Sequence, residues 1–395
     1  MATNSSEGVN IHVAFAGQIL SRELFPYLTS LFCIFALIFS VPAVCFNAIN
    51  IFIFCKIGGT DSITVCFLHL ALCDFCTMVF QSIGSLFKLL FSLNVPGCRN
   101  LSTYTFATAV TYSLFLDVAS ATTTYIALQR GLCVAWPFLT RHVFTRNRSL
   151  TVLVIITLIL LGGGMPRALT FRFRQLPGPT NNSSPIVIVQ FLGIHGHFDA
   201  FYLIFVKIIM GFTQYITMAV CAVAIFIGMR SSIKLKSVSS SAGSDSNNKK
   251  SKPGSLGNPE TTENRVKPPT QKKIGMNSED APTEAKQEKG KKVPQKELLV
   301  IKQALTVVLL QVFCTTPGII VFIYSMFEPR FELGTEFHNV FYVVFSGIDM
   351  CYAANAFANF FIYLHFNSKF KYCFHSVFQF QKRSGNENIN LSSAK

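Results

Sequence analysis

Long apolar runs alternate with shorter polar stretches along the whole chain. A helix rises about 1.5 Å per residue, so roughly 20 apolar residues cross the roughly 30 Å hydrocarbon layer of a membrane. Seven runs reach that length: Phe25–Phe54, Ser62–Leu90, Ser102–Trp136, Ser149–Phe171, Phe201–Gly228, Glu297–Phe327 and His338–Leu364. The pattern predicts an all-α membrane protein built as a seven-transmembrane helix bundle.

The composition supports this prediction and argues against a soluble enzyme. Of the 395 residues, 50% are hydrophobic and only 13% are charged, whereas soluble proteins carry roughly 25% charged residues. The 12 Cys are scattered singly, mostly inside apolar runs, which is typical of small buried side chains rather than of a disulfide framework. We find no metal-spaced His and Cys set, no phosphate loop and no nucleophile beside a His, so we expect no catalytic activity.

The charged residues concentrate in one segment, residues 229–296, which holds 22 of the 53 charged residues. Such a Lys/Ser/Asn/Pro-rich stretch lacks the apolar content for a core, and we expect it to be disordered. We therefore divide the chain into an N-terminal tail, five spans, a basic loop, two spans and a C-terminal tail: 1–24, 25–228, 229–296, 297–364 and 365–395. The first apolar run is longer than the roughly 7–15 residues of a signal-peptide core, so no cleaved signal is expected.

The charge distribution also predicts the orientation, because Lys and Arg concentrate on the cytoplasmic side of short loops. With the N-terminus outside, 26 of the 34 Lys and Arg lie inside and 7 lie outside. Four Asn-X-Ser sequons then face outside and are candidate glycosylation sites: Asn4, Asn100, Asn181 and Asn182.

Five motifs follow one another in a characteristic order on the predicted spans. They are Asn47, Leu70-Ala-Leu-Cys-Asp74, Leu128-Gln-Arg130-Gly-Leu-Cys-Val-Ala-Trp-Pro137-Phe138, Phe313-Cys314-Thr-Thr-Pro317 and Asn355-Ala-Phe-Ala-Asn359-Phe-Phe-Ile-Tyr363. Together they resemble the rhodopsin-like, or class A, G-protein-coupled receptors. The segment Lys56-Ile-Gly-Gly-Thr-Asp-Ser further resembles the molluscan chemosensory-receptor-like group.

This resemblance implies a plasma-membrane receptor that converts binding of an extracellular ligand into activation of a heterotrimeric G protein. The ligand would be a chemosensory small molecule or a peptide, and membrane lipid would be the remaining partner, with no nucleic acid. The competing class is a seven-helix transporter or channel. Transporters usually carry internal repeats, and we find no second half that resembles the first.

Several positions depart from the family pattern. The acidic-Arg-Tyr triplet is Gln129-Arg130-Gly131, and Phe360 stands where Asn-Pro-x-x-Tyr has its proline. Most members join the third helix to the second outer loop by a disulfide. Counted back from Arg130, Cys98 lies seven residues earlier than the family's usual cysteine, and no Cys occurs between Cys133 and Cys221. We therefore expect this disulfide to be missing.

A polar cluster is expected in the middle of the bundle around Asp74, because a buried carboxylate without partners would become neutral. Asn355 and Asn359 lie four residues apart on one helical face. The family places Asn47 beside them, and the cluster often holds a sodium ion there. Since Ala119 replaces a common Ser, two interpretations stay open: a hydrogen-bond network or a sodium site.

Four residues are candidates for ligand contact. Tyr112 occupies the position where amine receptors carry an Asp, which argues against a monoamine. Asp349, Lys207 and Lys88 should reach the outward-opening pocket, while Asp117 lies deeper and can pair with Lys207. The alternative for each is interhelical pairing or, for Lys88, snorkelling to water. Arginines in the second outer loop favour a ligand with an anionic group: Arg167, Arg172 and Arg174.

The inner end carries the residues that the resemblance assigns to G-protein coupling and switching. Pro137 and Phe138 would face the α subunit, and Pro317 and Tyr363 belong to the switch motifs. The family holds its arginine, here Arg130, with two acids. Gln129 replaces the first and Glu297 stands for the second, unless Glu297 merely belongs to a solvated charged rim.

The stretch Asn367–Phe380 alternates basic and aromatic residues after the last span. This pattern predicts an amphipathic helix lying on the membrane. Cys373 within it is a candidate palmitoylation site.

Overall fold

The apolar runs form long helices in the computed structural model, which describes residues 24–59, 61–93, 95, 101–136, 140, 142–169, 171–176, 186–191, 208–241, 295–328, 330–331 and 337–378. The elements are α1 (Leu24–Ile57), α2 (Ser62–Ser92), α3 (Leu101–Ala135), α4 (Arg146–Leu169), β1 (Phe171–Leu176), β2 (Ile186–Phe191), α5 (Gly211–Ser241), α6 (Gln295–Phe327), α7 (His338–Phe366) and α8 (368–378). The predicted seven-helix fold is confirmed.

Six helices within the described ranges are long and apolar enough to cross a membrane: Leu24–Ile57, Ser62–Ser92, Arg146–Gly164, Ile208–Arg230, Leu299–Phe327 and Asn339–Phe366. The remaining long helix, α3, is more polar. Its hydroxyls at Thr122, Thr123 and Thr124 each donate to the carbonyl oxygen four residues earlier. Satisfying these hydroxyls within the helix lowers the cost of placing them among apolar neighbours.

The first three helices and α7 form the best-packed part of the bundle. Helix α1 packs against α2 and α7, α2 also contacts α3 and α4, and α3 contacts α4. Buried aromatic rings fill the inner end of this core. The Tyr363 ring lies 5.2 Å from those of Phe54 and Phe67 and 5.9 Å from that of Phe370, measured between centroids.

Phe360 stands at the position of the family's proline, and its ring packs α7 against α1 and α8. Its ring is buried and stacks on Phe46 of α1 at 4.5 Å. It also makes edge contacts with Phe370 and Phe374 of α8. Because phenylalanine keeps the backbone N–H that proline lacks, α7 continues as a helix to Phe366.

The predicted amphipathic helix after the last span is confirmed by α8. Phe370 and Cys373 are buried against the bundle, whereas Lys369 and Lys371 are exposed. At its start Lys369 Nζ lies 2.6 Å from Asp61 Oδ2, next to the beginning of α2, and both side chains of this ion pair are exposed.

A β-hairpin follows α4, which the purely helical prediction did not include. Strands β1 and β2 are antiparallel, with Phe171 opposite Phe191 and Leu176 opposite Ile186. β-Branched residues favour strands, and β2 opens with Ile186-Val-Ile-Val. The predicted fourth span ran to Phe171, but α4 ends at Leu169.

The chain divides into two compact units, Met1–Gly228 with Lys296–Lys395, and Met229–Gln295. In the second unit the described residues are the end of α5, up to Ser241, and Gln295. The remainder of the predicted disordered loop lies outside the described residues.

Candidate functional site

Asp349 of α7 lies at the centre of a buried charged cluster. Lys88 Nζ of α2 lies 2.8 Å from Asp349 Oδ2, and the two side chains are only 12% and 5% exposed. The Tyr112 hydroxyl of α3 donates a hydrogen bond to the other carboxylate oxygen. Gln81 Nε2 of α2 donates to the backbone carbonyl of Asp349 at 2.5 Å. Three helices thus meet at one carboxylate.

Lys88 points into the bundle and does not extend along it toward water. Besides its contact with Asp349, its ammonium lies 5.6 Å from the ring centroid of Tyr342, within range of a cation–π interaction. Interhelical pairing is therefore the geometry of Lys88 and Asp349 in this structure, and contact of either residue with a ligand stays a prediction.

A small cleft lies beside the charged cluster. Its free volume is about 10 Å³, roughly the space of one water molecule. Its walls come from α2, α3 and α7: Gln81, Gly84, Ser85, Lys88, Thr105, Thr108, Ala109, Tyr112 and Asp349. Drug-sized ligands usually occupy roughly 300–1,000 Å³. Gln81 Oε1 is buried and has no hydrogen-bond partner among the described residues, so a polar acceptor is left available in the wall.

Helix α2 approaches α3 closely at this cleft. A Cβ on Gly84 would lie 2.7 Å from Thr108 Oγ1, so a larger residue would force the threonine side chain to turn or the helices to separate. Glycine at this position therefore accommodates the close approach of the two helices that form the cleft walls.

Asp74 lies deeper, between α2 and α7. Asn359 Nδ2 donates to Asp74 Oδ2 at 2.8 Å. The other two predicted neighbours take different partners. Asn355 Nδ2 donates to Gln311 Oε1 of α6 at 2.6 Å, and Asn47 Nδ2 donates to backbone carbonyls of α1 and α7.

The expected cluster around Asp74 is thus distributed over three contacts. Asn355 lies one turn away from Asn359, and this displacement brings it to α6 instead of α2. Gln311, which the sequence analysis did not single out, supplies its acceptor. A single glutamine in an apolar helix has no motif around it, so the sequence carries no signal for this contact.

The donor chemistry of this region is compatible with a hard cation, which takes oxygen ligands. Asn355 Oδ1 and Asn359 Oδ1 are buried without hydrogen-bond partners in the described part of the chain, and Asp74 contributes a carboxylate. Ala119 contributes no oxygen from its side chain. Sodium binding stays a prediction beside the hydrogen-bond network.

His69 connects three helices and was missed by the sequence analysis. Its Nδ1 lies 3.0 Å from Thr122 Oγ1 of α3, and its Nε2 lies 3.0 Å from Thr157 Oγ1 of α4. The histidine ring on α2 therefore supplies a polar link between α3 and α4.

At the inner end of α3, Gln129 is held by α2. Its Nε2 donates to Ser62 Oγ at 2.9 Å, and its Oε1 accepts from the Cys66 thiol at 3.6 Å. Within the described residues Gln129 makes no hydrogen bond to the neighbouring Arg130 guanidinium. Gln129 therefore directs both of its polar atoms to α2, and Arg130 beside it is partly buried.

Helix α6 contacts its neighbours on both sides of Pro317. Thr316 Oγ1 lies 3.0 Å from the Tyr215 hydroxyl of α5. On the other side, a Cβ on Gly318 would lie 2.5 Å from the Tyr352 hydroxyl of α7. The proline removes one helical hydrogen bond next to this close approach of α6 and α7 at Gly318.

An exposed ion pair follows α6 at its far end. Arg330 Nε lies 2.7 Å from Glu328 Oε1, and Arg330 also donates to Oε2 at 3.0 Å. These hydrogen bonds from Arg330 lower the pKa of Glu328. The pair is solvated, unlike that of Lys88 and Asp349.

The comparison with protein families decides among the classes that seven helices allow. The model of the seven-transmembrane receptors of the rhodopsin family matches residues 46–363, which is well over half of the chain. The chain belongs to this family. No curated protein matches it.

Membership makes this chain a multi-pass membrane receptor rather than a catalyst, with a G protein and an extracellular ligand as partners in general terms. The match begins at Phe46, in α1, and ends at Tyr363, in α7. It therefore contains Lys88, Tyr112 and Asp349 as well as the central pair of Asp74 and Asn359.

Several predicted residues of the receptor lie outside the described residues: Lys207, Pro137, Phe138, Asn4, Asn100, Asn181, Asn182 and Cys98. Glu297 lies in α6, and its side chain is likewise outside the described part. Cys373 is 9% exposed and packs in the core with Phe370. A buried thiol leaves little room for an acyl chain, and its palmitoylation stays a prediction.

Proposed function

We propose that this receptor binds a small extracellular ligand in the cleft between α2, α3 and α7 and activates a heterotrimeric G protein at its inner face. The observation that carries the proposal is the buried ion pair of Lys88 and Asp349 beside that cleft. Charges within a membrane bundle are costly and usually functional. This pair joins helices that a ligand could separate.

The signal has a short path along α7. Asp349 and Asn359 are ten residues apart in one helix, about 15 Å at 1.5 Å per residue. A ligand that draws Asp349 away from Lys88 displaces α7 and so biases the contact of Asn359 with Asp74. The ligand then shifts the population between two helix arrangements in proportion to its differential affinity for them.

At the inner face we propose the roles that the resemblance implies. Arg130 pairs with Glu297 at rest, Pro137 and Phe138 contact the G protein, and Tyr363 moves with α7. The finer proposal is a chemosensory receptor of the plasma membrane with its N-terminus outside. It is supported by the Lys56–Ser62 segment, the excess of inner basic residues and the outer position of the sequons.

Nucleotide exchange tests the proposal directly. The receptor is reconstituted in nanodiscs with a panel of G proteins, and GTP loading is measured with and without a library of small molecules and peptides. Arg130→Ala should abolish stimulated exchange, whereas Arg148→Ala should leave it unchanged, because Arg148 is exposed and its hydrogen bond among the described residues goes to the His142 carbonyl.

The transporter or channel alternative is tested in parallel. The same protein in sealed vesicles should pass no ion or solute current when ligand is added. Ligand-dependent flux without nucleotide exchange would overturn the receptor proposal.

A further inference from the structure

The chemistry of the cleft narrows the class of ligand, and this inference rests on the proposed function. We propose that the ligand is a short zwitterion whose carboxylate binds Lys88 and whose ammonium binds Asp349. The ligand would insert between the two side chains and replace their ion pair with two new ones.

Charge balance is the first argument. Lys88 and Asp349 neutralise each other at 2.8 Å with almost no exposure to water. A ligand with only a negative charge would take Lys88 and leave Asp349 buried and unpaired, and a ligand with only a positive charge would do the reverse. Unpaired buried charges are strongly unfavourable. A zwitterion satisfies both residues at once.

Hydrogen-bonding capacity is the second argument. Gln81 is 2% exposed and lines the cleft, and its Oε1 accepts no hydrogen bond within the described residues. An ammonium group has three donors, so one that binds Asp349 still has N–H groups for Gln81 Oε1. The same carbonyl offers nothing to a carboxylate. The unsatisfied acceptor therefore lies where the positive end of the ligand is expected.

The contacts of the Asp349 carboxylate support this orientation of the ligand, with its ammonium toward Asp349 and its carboxylate toward Lys88. One oxygen of Asp349 already accepts from the Tyr112 hydroxyl, which keeps Asp349 in place when Lys88 is drawn away. Lys88 retains the Tyr342 ring, 5.6 Å from its ammonium. Each charged residue thus has a second partner that remains while the ion pair opens.

The size of the cleft is the third argument. The free volume of the cleft is about 10 Å³, far below the roughly 300–1,000 Å³ of usual ligand pockets, so a ligand enters only by opening the contact between Lys88 and Asp349. The close approach of α2 and α3 at Gly84 and Thr108 leaves little room beside the pair for a bulky ligand. Because Lys88 and Asp349 start in direct contact, a ligand with few atoms between its two charges fits best.

The probes are small amino acids and their singly charged derivatives. Glycine, β-alanine and γ-aminobutyrate are each compared with the N-acetyl form, which is an anion, and the methyl ester, which is a cation. Thermal unfolding of the full receptor in nanodiscs reports binding, and nucleotide exchange reports activation. At least one zwitterion should raise the unfolding temperature at a concentration about tenfold below both of its derivatives.

Variants separate ligand binding from helix pairing. Lys88→Met and Asp349→Asn should each weaken the response to the zwitterion about tenfold or more. Exchanging the charges, Lys88→Asp with Asp349→Lys, rebuilds the pair and should restore part of the response. The exposed pair is the matched control: Glu328→Gln with Arg330→Gln should leave potency unchanged.

The outcomes are distinct. If none of the zwitterions shifts unfolding, or if a singly charged derivative is as potent, the inference is wrong. If the variants only lower the unfolding temperature, and the zwitterion is equally potent on the fraction of receptor that remains folded, the ion pair merely joins the helices. The inference is then also wrong. Exchange that depends on Arg130 without any response to zwitterions would leave the proposed function standing alone.

Discussion

Asn359 donates a hydrogen bond of 2.8 Å to Asp74 and so joins α7 to α2 in the middle of the bundle. Both side chains are almost completely buried. Among the described residues this is the hydrogen bond that the Asp74 carboxylate accepts. The contact is therefore the central polar link between the helix that carries Asp349 and the helix that carries Lys88.

Removing this link should destabilise the receptor. Asn359→Ala leaves the Asp74 carboxylate buried without its donor, at a cost of about 1–3 kcal/mol. Thermal unfolding in detergent should show a lower midpoint. Asp74→Asn in the same background should restore part of the loss, because it removes the charge that lacks a partner. Asn147→Ala, at an exposed position, is the control. Equal midpoints for Asn359→Ala and wild type would contradict the prediction.

The link made by His69 should be measurable in the same way. His69→Leu removes two hydrogen bonds, to α3 and α4, each contributing about 0.5–1.5 kcal/mol. The threonines keep their bonds to the carbonyls of Val118 and Leu153, so we expect a loss of about 1–3 kcal/mol in total. The exposed His375→Leu should be neutral.

A double-mutant cycle tells this link apart from simple packing. If the His69 ring acts through Thr157, the cost of His69→Leu with Thr157→Val should be smaller than the sum of the single costs. Strict additivity of the two changes would show that the ring contributes only its volume.

The helices were predictable because an apolar run of this length rarely forms anything other than a membrane-spanning helix, and the family motifs located Asp74, Arg130 and Asn359 on them. The hydrogen-bond or ion-pair partner of each polar residue was not predictable. Lys88 and Asp349 were identified separately, since their contact depends on how α2 and α7 are rotated about their axes. No local pattern in the sequence encodes that rotation.

Two further features had different reasons for being missed. The hairpin did have a signal, the β-branched run Ile186-Val-Ile-Val opposite the alternating Phe171-Arg-Phe-Arg, but the prediction assigned only helices. His69 had no such signal. A lone histidine on an apolar helix can equally well be a buried residue whose partners lie within its own helix, so the sequence does not indicate a link to other helices.

Phe360 should be hard to convert to the family's proline. The ring stacks on Phe46 at 4.5 Å and contacts α8, and proline would remove this packing as well as a helical hydrogen bond, at about 3 kcal/mol or more. Phe360→Pro should therefore lower the unfolding midpoint strongly, and Phe360→Leu only moderately. Phe361→Leu, at a neighbouring and more exposed ring, is the control. A proline variant as stable as the leucine variant would contradict this account.

The resting state of Arg130 provides the last prediction. Gln129 is neutral, and among the described residues its side chain hydrogen-bonds Ser62 and Cys66 on α2 rather than the neighbouring guanidinium. Glu297, twenty residues before Pro317 in α6, is then the acid left to hold α3 and α6 together. An arginine–carboxylate pair at the inner membrane edge would be partly desolvated and would exceed the roughly 0–1 kcal/mol of an exposed pair. Glu297→Ala should therefore raise ligand-free nucleotide exchange.

The matching change at position 129 should act in the opposite direction. In Gln129→Glu the carboxylate still accepts from the Cys66 thiol, and the Ser62 hydroxyl can turn to donate to it, since the bond between Ser62 and Ser149 allows either oxygen to be the donor. The substitution therefore keeps the contact with α2 and adds a negative charge beside Arg130, which should lower basal exchange. Glu328→Ala, at the opposite end of α6, should change nothing. Basal exchange that stays constant in both inner variants at matched surface expression would place Glu297 in a solvated rim and remove the ionic contact between α3 and α6.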